Sequence, residues 1–227
     1  KFGPGIIIFG DSHSTDIFSM VLYKFNSPFI FNIRNTGCRI ELNRGDCNYK
    51  ELVDFFSNSE SVIFDKVIFV ESGFWNLKKK SGGEVERNDF AKFKLDQKID
   101  DFIVNEDRIN KTLLNLNIIS KYVDVSWFTP RAEPHIPLEA IYKYGCSSKW
   151  SYRPNQEKVF KSIQYKIYEI VEEFKYNINL VSQIDIFKFD LSKDFTNCKN
   201  LFWSDTDHFT SFGEVIFSKR LADNFIK

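Results

Sequence analysis

Five short apolar runs recur along the chain: Ile6 to Phe9, Phe29 to Ile33, Val67 to Val70, Val123 to Phe128 and Ile178 to Val181. Ile6 to Phe9 and Val67 to Val70 are continuously apolar, the pattern of a strand buried on both faces, and the other three are interrupted only by Asn32, by Asp124 and Ser126, and by Asn179. Between them, apolar positions take up helical spacing over Asp16 to Phe25, Tyr49 to Phe56, Ile99 to Ile119, Glu157 to Phe174 and finally Ser211 to Ile226. Buried strands separated by amphipathic helices predict a central parallel sheet covered on both sides, a three-layer α/β/α sandwich. Ligands in such folds bind beyond the carboxyl ends of the strands, near the switch in strand order. Ser72 to Gln97, rich in Lys, Gly, Glu and Asn, predicts a long loop or insertion over that edge.

The chain has 227 residues, 43% hydrophobic and 27% charged, with 31 basic against 31 acidic residues. That suits one globular domain spanning 1–227. Zero net charge argues against nucleic acid or an anionic membrane surface as the main partner, since both need a basic face. No internal repeat or low-complexity segment stands out, and no apolar stretch approaches the length that spans a bilayer. The sequence opens without an initiator Met or a signal peptide, and we expect a domain excised from a longer membrane protein.

Two short polar patterns lie at opposite ends of this framework. Gly10-Asp11-Ser12-His13-Ser14 follows the first strand, and Asp205-Thr206-Asp207-His208 leads into the last helix. A serine hydroxyl is a poor nucleophile until an imidazole takes its proton and a carboxylate orients the imidazole. Ser12 and His208 fit the first two roles. Asp205, three residues before His208, is expected to fold back onto the ring, whereas Asp207, as an adjacent residue, points away. Taken singly, Ser12 is equally an N-cap and His208 a surface histidine. His13 reads as a structural or rim residue, and His135 and Arg131, in the loop after the fourth strand, as loop residues that could line an acceptor cleft.

Four cysteines, Cys38, Cys47, Cys146 and Cys198, show neither CxxC nor zinc-ligand spacing. We expect Cys38 to pair with Cys47 and Cys146 with Cys198; the alternative is four reduced thiols. A bridge closing the short loop Arg39 to Asp46 would contribute roughly 2 to 3 kcal/mol in the chain-entropy model and imply an oxidising compartment.

Gly10-Asp11-Ser12 after a first strand, with Asp205-Thr206-Asp207-His208 near the C-terminus, resembles the SGNH or GDSL hydrolase superfamily along the whole chain. More narrowly, Gly-Asp-Ser-His at the nucleophile, Asn35-Thr36-Gly37-Cys38 after the second strand, and a cysteine ahead of Phe202 to Gly213 resemble the SGNH domain fused behind membrane acyltransferase-3 domains in bacterial polysaccharide O-acetyltransferases. The resemblance implies a flavodoxin-like SGNH fold and a catalytic Ser12, Asp205 and His208. It also implies an oxyanion hole of the Ser12 N–H, the Gly37 N–H and a third donor. That donor is usually the Asn of Gly-x-Asn-Asp, but here the third strand leads into Ser72-Gly73-Phe74-Trp75-Asn76. Trp75 or Asn76 holds the place according to register, with Asn76 favoured. Physically, Ser12 opens a helix whose N-terminus carries partial positive charge, and Gly37, lacking Cβ, lets its N–H approach an acyl oxygen; otherwise it is a plain turn glycine.

The resulting expectation is serine-dependent O-acetyl transfer to a cell-surface polysaccharide such as lipopolysaccharide O-antigen. Acetyl would come ultimately from acetyl-CoA, through the membrane domain on the same polypeptide, in a periplasmic or extracytoplasmic setting tethered to the inner membrane. No bound cofactor or metal is expected. A secreted carbohydrate acetylesterase or lipase-like hydrolase is the alternative enzyme, and a non-catalytic glycan-binding domain the alternative of another class.

Overall fold

In a computed structural model, residues 5–25, 29–34, 39–40, 49–58 and 64–223 are described. Five strands form one parallel sheet: β1 (Gly5–Gly10), β2 (Ile30–Arg34), β3 (Phe64–Val70), β6 (Asp124–Thr129) and β7 (Asn179–Ser182), in the order β2-β1-β3-β6-β7. The strand order reverses between β1 and β3, so the binding crevice of this topology falls at the ends of these two strands. Gly10, the last residue of β1, has φ 152°, and a Cβ there would overlap the Val70 carbonyl oxygen. Glycine is what allows β1 and β3 to end side by side.

Alternation along β1 divides the core. Ile7 and Phe9 join Val67, Phe69 and Trp127 on one face, against α4 (Glu106–Ile119) and α6 (Gln156–Phe174). Ile6 and Ile8 join Ile68, Val70 and Phe128 on the other, against α1 (His13–Phe25) and α9 (Ser211–Ser218). α2 (Tyr49–Asn58) covers the first face beside α4. The three-layer expectation therefore holds. Among the described residues no helix is long and apolar enough to cross a membrane.

Three stretches differ from the sequence reading, the simplest being the last helix, which ends at Ser218 rather than running on toward Ile226. Ile99 to Ile119 is not one helix: β5 (Phe102–Val104) pairs antiparallel with β4 (Leu77–Lys79), and α4 starts afterwards, capped by the Asn105 side chain on the Arg108 N–H. An N-cap asparagine separates the two elements. The supposed loop 72–97 is also structured. It holds a 3₁₀ turn (Gly73–Asn76), β4 and α3 (Arg87–Ala91), the last closed by a capping box between Glu86 and Asp89. Short helices α5 (Glu139–Tyr144), α7 (Gln183–Phe187) and α8 (Leu191–Asp194) complete the connections. The expected Cys146–Cys198 disulfide is present; Gly37, Cys38 and Cys47 lie outside the described residues.

Candidate active site

Ser12 occupies the turn between β1 and α1, at the N-terminal end of the helix. The turn is held by Asp11, whose Oδ1 accepts the His13 N–H at 2.9 Å and whose Oδ2 accepts the Ser72 N–H at 2.9 Å and the Trp75 indole N–H at 3.0 Å. This one carboxylate ties the end of β1 to the end of β3. Burial is the largest influence on Asp11 and pushes its pKa up to about 6, against the lowering effect of the Ser72 and His13 N–H groups.

His208 arrives from the far end of the chain. Trp203 and Phe209 form a bridge that is buried on both sides, and the Ser204 N–H donates to the His208 carbonyl at 2.9 Å, closing the segment between them into a tight loop. Thr210 then caps α9 through the Gly213 N–H. The result places His208 Nε2 3.0 Å from Ser12 Oγ, across 196 residues of sequence. The imidazole side chain is 19% exposed, so the pair faces solvent at one edge.

The ring's other nitrogen departs from expectation. Asp205 does not supply the contact at Nδ1: its Oδ1 accepts the backbone N–H groups of Asp207 (3.0 Å) and His208 (2.8 Å), and its Oδ2 pairs with Arg87 at 2.7 Å. A carboxylate that caps its own turn and meets a guanidinium is turned away from the ring. The neighbour of Nδ1 is Asp16, whose Oδ2 lies 3.5 Å away, within ion-pair reach and longer than an ordinary hydrogen bond. Asp16 lies in the first turn of α1, four residues after Ser12, whose carbonyl accepts the Thr15 N–H at the head of the helix. It is 4% exposed and is met by the Arg131 guanidinium, which also donates to the Asp207 carbonyl at 2.8 Å. Burial alone would raise the Asp16 pKa, but Arg131 and then His208 outweigh it and hold the carboxyl ionised. Burial likewise opposes charge on His208, but Asp16 foremost, then Asp207 and Asp205, raise its pKa above the usual histidine value.

Behind this layer lies a buried polar network. Glu133 accepts the Ser72 hydroxyl (2.7 Å), the Gly73 N–H (2.6 Å) and a contact from His135 Nε2 (2.9 Å). His135 is wholly buried and stacks on Phe90, so it does not line a cleft. Arg131 is equally buried and acts on Asp16 instead. His13 is buried too, as a structural residue would be, packed edge-on against His208 with Asp207 at 3.4 Å. Burial first, and then Arg131, keeps it neutral. Glu214 on α9 has its pKa pushed up to about 7 by burial and then by the charge of Asp16.

The expected third oxyanion donor is also corrected. The 3₁₀ turn draws Asn76 inside, where its amide donates to Glu71 at 2.8 Å. The Trp75 indole N–H is taken by Asp11, and the Ser72 and Gly73 N–H groups by Asp11 and Glu133. His13, Asp207 and His208 each offer a ligand atom within 4.8 Å of one another. Arg87 Nε already lies 2.7 Å from Asp207 and Arg131 donates to its carbonyl, a cationic setting ill suited to a metal ion.

This architecture is the SGNH hydrolase fold. It is similar to a member of the lipolytic G-D-S-L family from Veillonella parvula, with TM-score 0.52 and 10% identity over 96% of each chain. It is similar also to the acetyl xylan esterase AlAXEase, with TM-score 0.52 and 13% identity over 95% of this chain and 96% of that one. Est24, a carbohydrate acetylesterase from Sinorhizobium meliloti, gives TM-score 0.50 and 10% identity over 97% of each chain. No family model matches the sequence, and no curated protein does.

Proposed function

We propose that this chain is a serine-dependent acyl-transfer enzyme acting on O-acetyl groups of carbohydrate, with Ser12 as nucleophile, His208 as base and then acid, and Asp16 as the residue that orients the imidazole. The observation that carries the reading is the 3.0 Å contact between Ser12 Oγ and His208 Nε2 at the strand-order switch. Ser12 Oγ attacks the acyl carbon while its proton passes to Nε2, and collapse of the tetrahedral adduct expels the alcohol, which takes that proton. A second hydroxyl then gives its proton to Nε2 and attacks the acyl-serine, regenerating Ser12. Asp16 stays ionised throughout and faces the imidazolium that forms. The Ser12 N–H, at the mouth of α1, points to one oxyanion donor, and Gly37 is the proposed second.

Acetylesterases among the structural neighbours support acetyl as the group moved. Within this class we favour transfer to a cell-surface polysaccharide such as O-antigen, with acetyl delivered by an acyltransferase-3 membrane domain on the same polypeptide, tethered extracytoplasmically. The Cys146–Cys198 bridge is consistent with an oxidising compartment. Hydrolysis differs only in that water resolves the acyl-serine.

The test is to trap the nucleophile with an aromatic sulfonyl fluoride and map the adduct by mass spectrometry. One adduct on the Ser12 peptide, blocked by prior protonation of His208 at low pH, is expected. An unmodified Ser12 in protein that is folded would overturn the reading and leave a glycan-binding role.

A further inference from the structure

A groove of about 760 Å³ runs beside α5, and neither Ser12, Asp16 nor His208 lines it. One wall is the segment 93–96 after α3, the other is residues 137–153 after β6. Both walls are tied to the histidine turn. Arg87, at the head of α3, pairs with Asp205 and Asp207, and the His135 N–H, two residues before Pro137, donates to the Thr206 carbonyl at 2.7 Å.

The groove's chemistry is lopsided. Lys94, Lys143 and Lys149 line it, all exposed, and none meets a carboxylate among the described residues. Two carboxylates, Asp96 and Glu139, share the rim and leave the cations in excess. Beneath them Arg153 is 2% exposed, and its guanidinium donates only to neutral oxygens: the carbonyls of Phe93 (3.1 Å), Pro134 (3.2 Å) and His135 (3.0 Å) and the Gln156 amide (3.5 Å). Burial without a counter-charge lowers its pKa only to about 10, so it carries its charge at neutral pH. A buried cation with no anion beside it raises the positive potential of the surface above. Tyr144, with its ring half exposed under Lys143 Nζ, adds aromatic surface to the same wall, with the buried Trp150 packed behind it.

We propose that this groove is a subsite for a segment of anionic glycan, one bearing carboxylate or phosphate groups, held beside the histidine turn. Its role as the acceptor's docking place rests on the acyl-transfer reading; the binding itself does not. The Tyr144 ring meets the apolar faces of the sugars, while the three lysines and Arg153 select the anionic ones.

The experiment is affinity electrophoresis of the Ser12→Ala chain in gels containing polygalacturonate, phosphorylated mannan or neutral dextran. Using that variant separates glycan binding from acyl chemistry, which is scored independently by ester hydrolysis in the wild type. We expect retardation by one or both polyanions, the stronger naming carboxylate or phosphate, and none by dextran. Lys143→Glu with Lys149→Glu should weaken it about tenfold. A control of equal charge change far from the groove, Lys121→Glu with Lys219→Glu, should leave the affinity within about twofold. Equal binding of dextran, no retardation by either polyanion, or an equal loss in the control would overturn the proposal.

Discussion

Replacing Asp16 by Asn tests the least expected feature of the site. The amide keeps the size of the side chain and an oxygen for Arg131, but it removes the negative charge 3.5 Å from His208 Nδ1. At an effective dielectric near 20, opposite unit charges at that separation attract by about 4 to 5 kcal/mol. If the imidazolium forms fully in the transition state, most of that is lost, a fall of about 10³-fold in kcat. The same change at Asp205 should do little. An Asn there still accepts the Asp207 and His208 N–H groups, and what disappears is an ion pair with Arg87 in which both partners are more than a third exposed, worth under about 1 kcal/mol. The assay is steady-state turnover of an activated acetate ester, with thermal unfolding recorded to confirm that each variant is folded. A 10³-fold loss for Asp205→Asn beside a loss within tenfold for Asp16→Asn would refute the assignment and restore the carboxylate expected from the DxxH spacing.

Ser12→Ala should abolish turnover while leaving the melting temperature within about 2 °C, since it removes a hydroxyl from a turn held by Asp11; measurable acyl transfer by that variant would exclude Ser12 as nucleophile. The pH profile of kcat/KM should rise with pH, because His208 must be neutral to take the proton, and its midpoint should lie above the ordinary histidine value of about 6.5 and fall in Asp16→Asn. The same raised pKa means that protonated His208 stabilises the fold fully below about pH 6.5 and that this contribution is lost as pH rises through the folded value. Cys146→Ser should remove roughly 4 kcal/mol of chain-entropy stabilisation, the value for a closed loop of 52 residues, and lower the melting temperature by about 10 °C; an unchanged melting temperature in oxidised protein would show that the bridge does not constrain the unfolded chain. Fused to the acyltransferase-3 membrane domain proposed above, the chain should acetylate polysaccharide from acetyl-CoA where the isolated chain only hydrolyses small esters slowly; efficient acetylation by the isolated chain would remove the need for a membrane partner.

The sheet was legible because its signal is dense: five short runs, apolar but for Asn32, Asp124, Ser126 and Asn179, alternate with helical spacing, and all five became strands within a few residues of their expected limits. The insertion was not. β4 is Leu77-Lys78-Lys79, and two lysines in three residues mask a strand whose only apolar member, Leu77, is buried against the helical face. α3 is five residues long and owes its existence to the Glu86–Asp89 capping box rather than to any periodic stripe. Serine and histidine were legible as a pair because a proposed nucleophile and base must meet, which needs only that the turn after β1 and the turn before α9 be neighbours.

The orienting carboxylate shows where such reading stops. Spacing in a DxxH turn says that Asp205 can reach the ring, but reach is decided by competition for the carboxylate. Here Asp205 is claimed on one side by the backbone of its own turn and on the other by Arg87, which the insertion delivers from α3. Asp16 had a signal of its own, the four-residue spacing from Ser12 into the first turn of α1. That spacing has value only if something buries and charges the side chain, and Arg131, from the loop after β6, does both. Neither arginine carries a motif. The choice between the two carboxylates is therefore made by two residues, one in a segment that looked like loop and one whose role lies behind the site, and both act through tertiary contacts more than 80 residues from the aspartates they control.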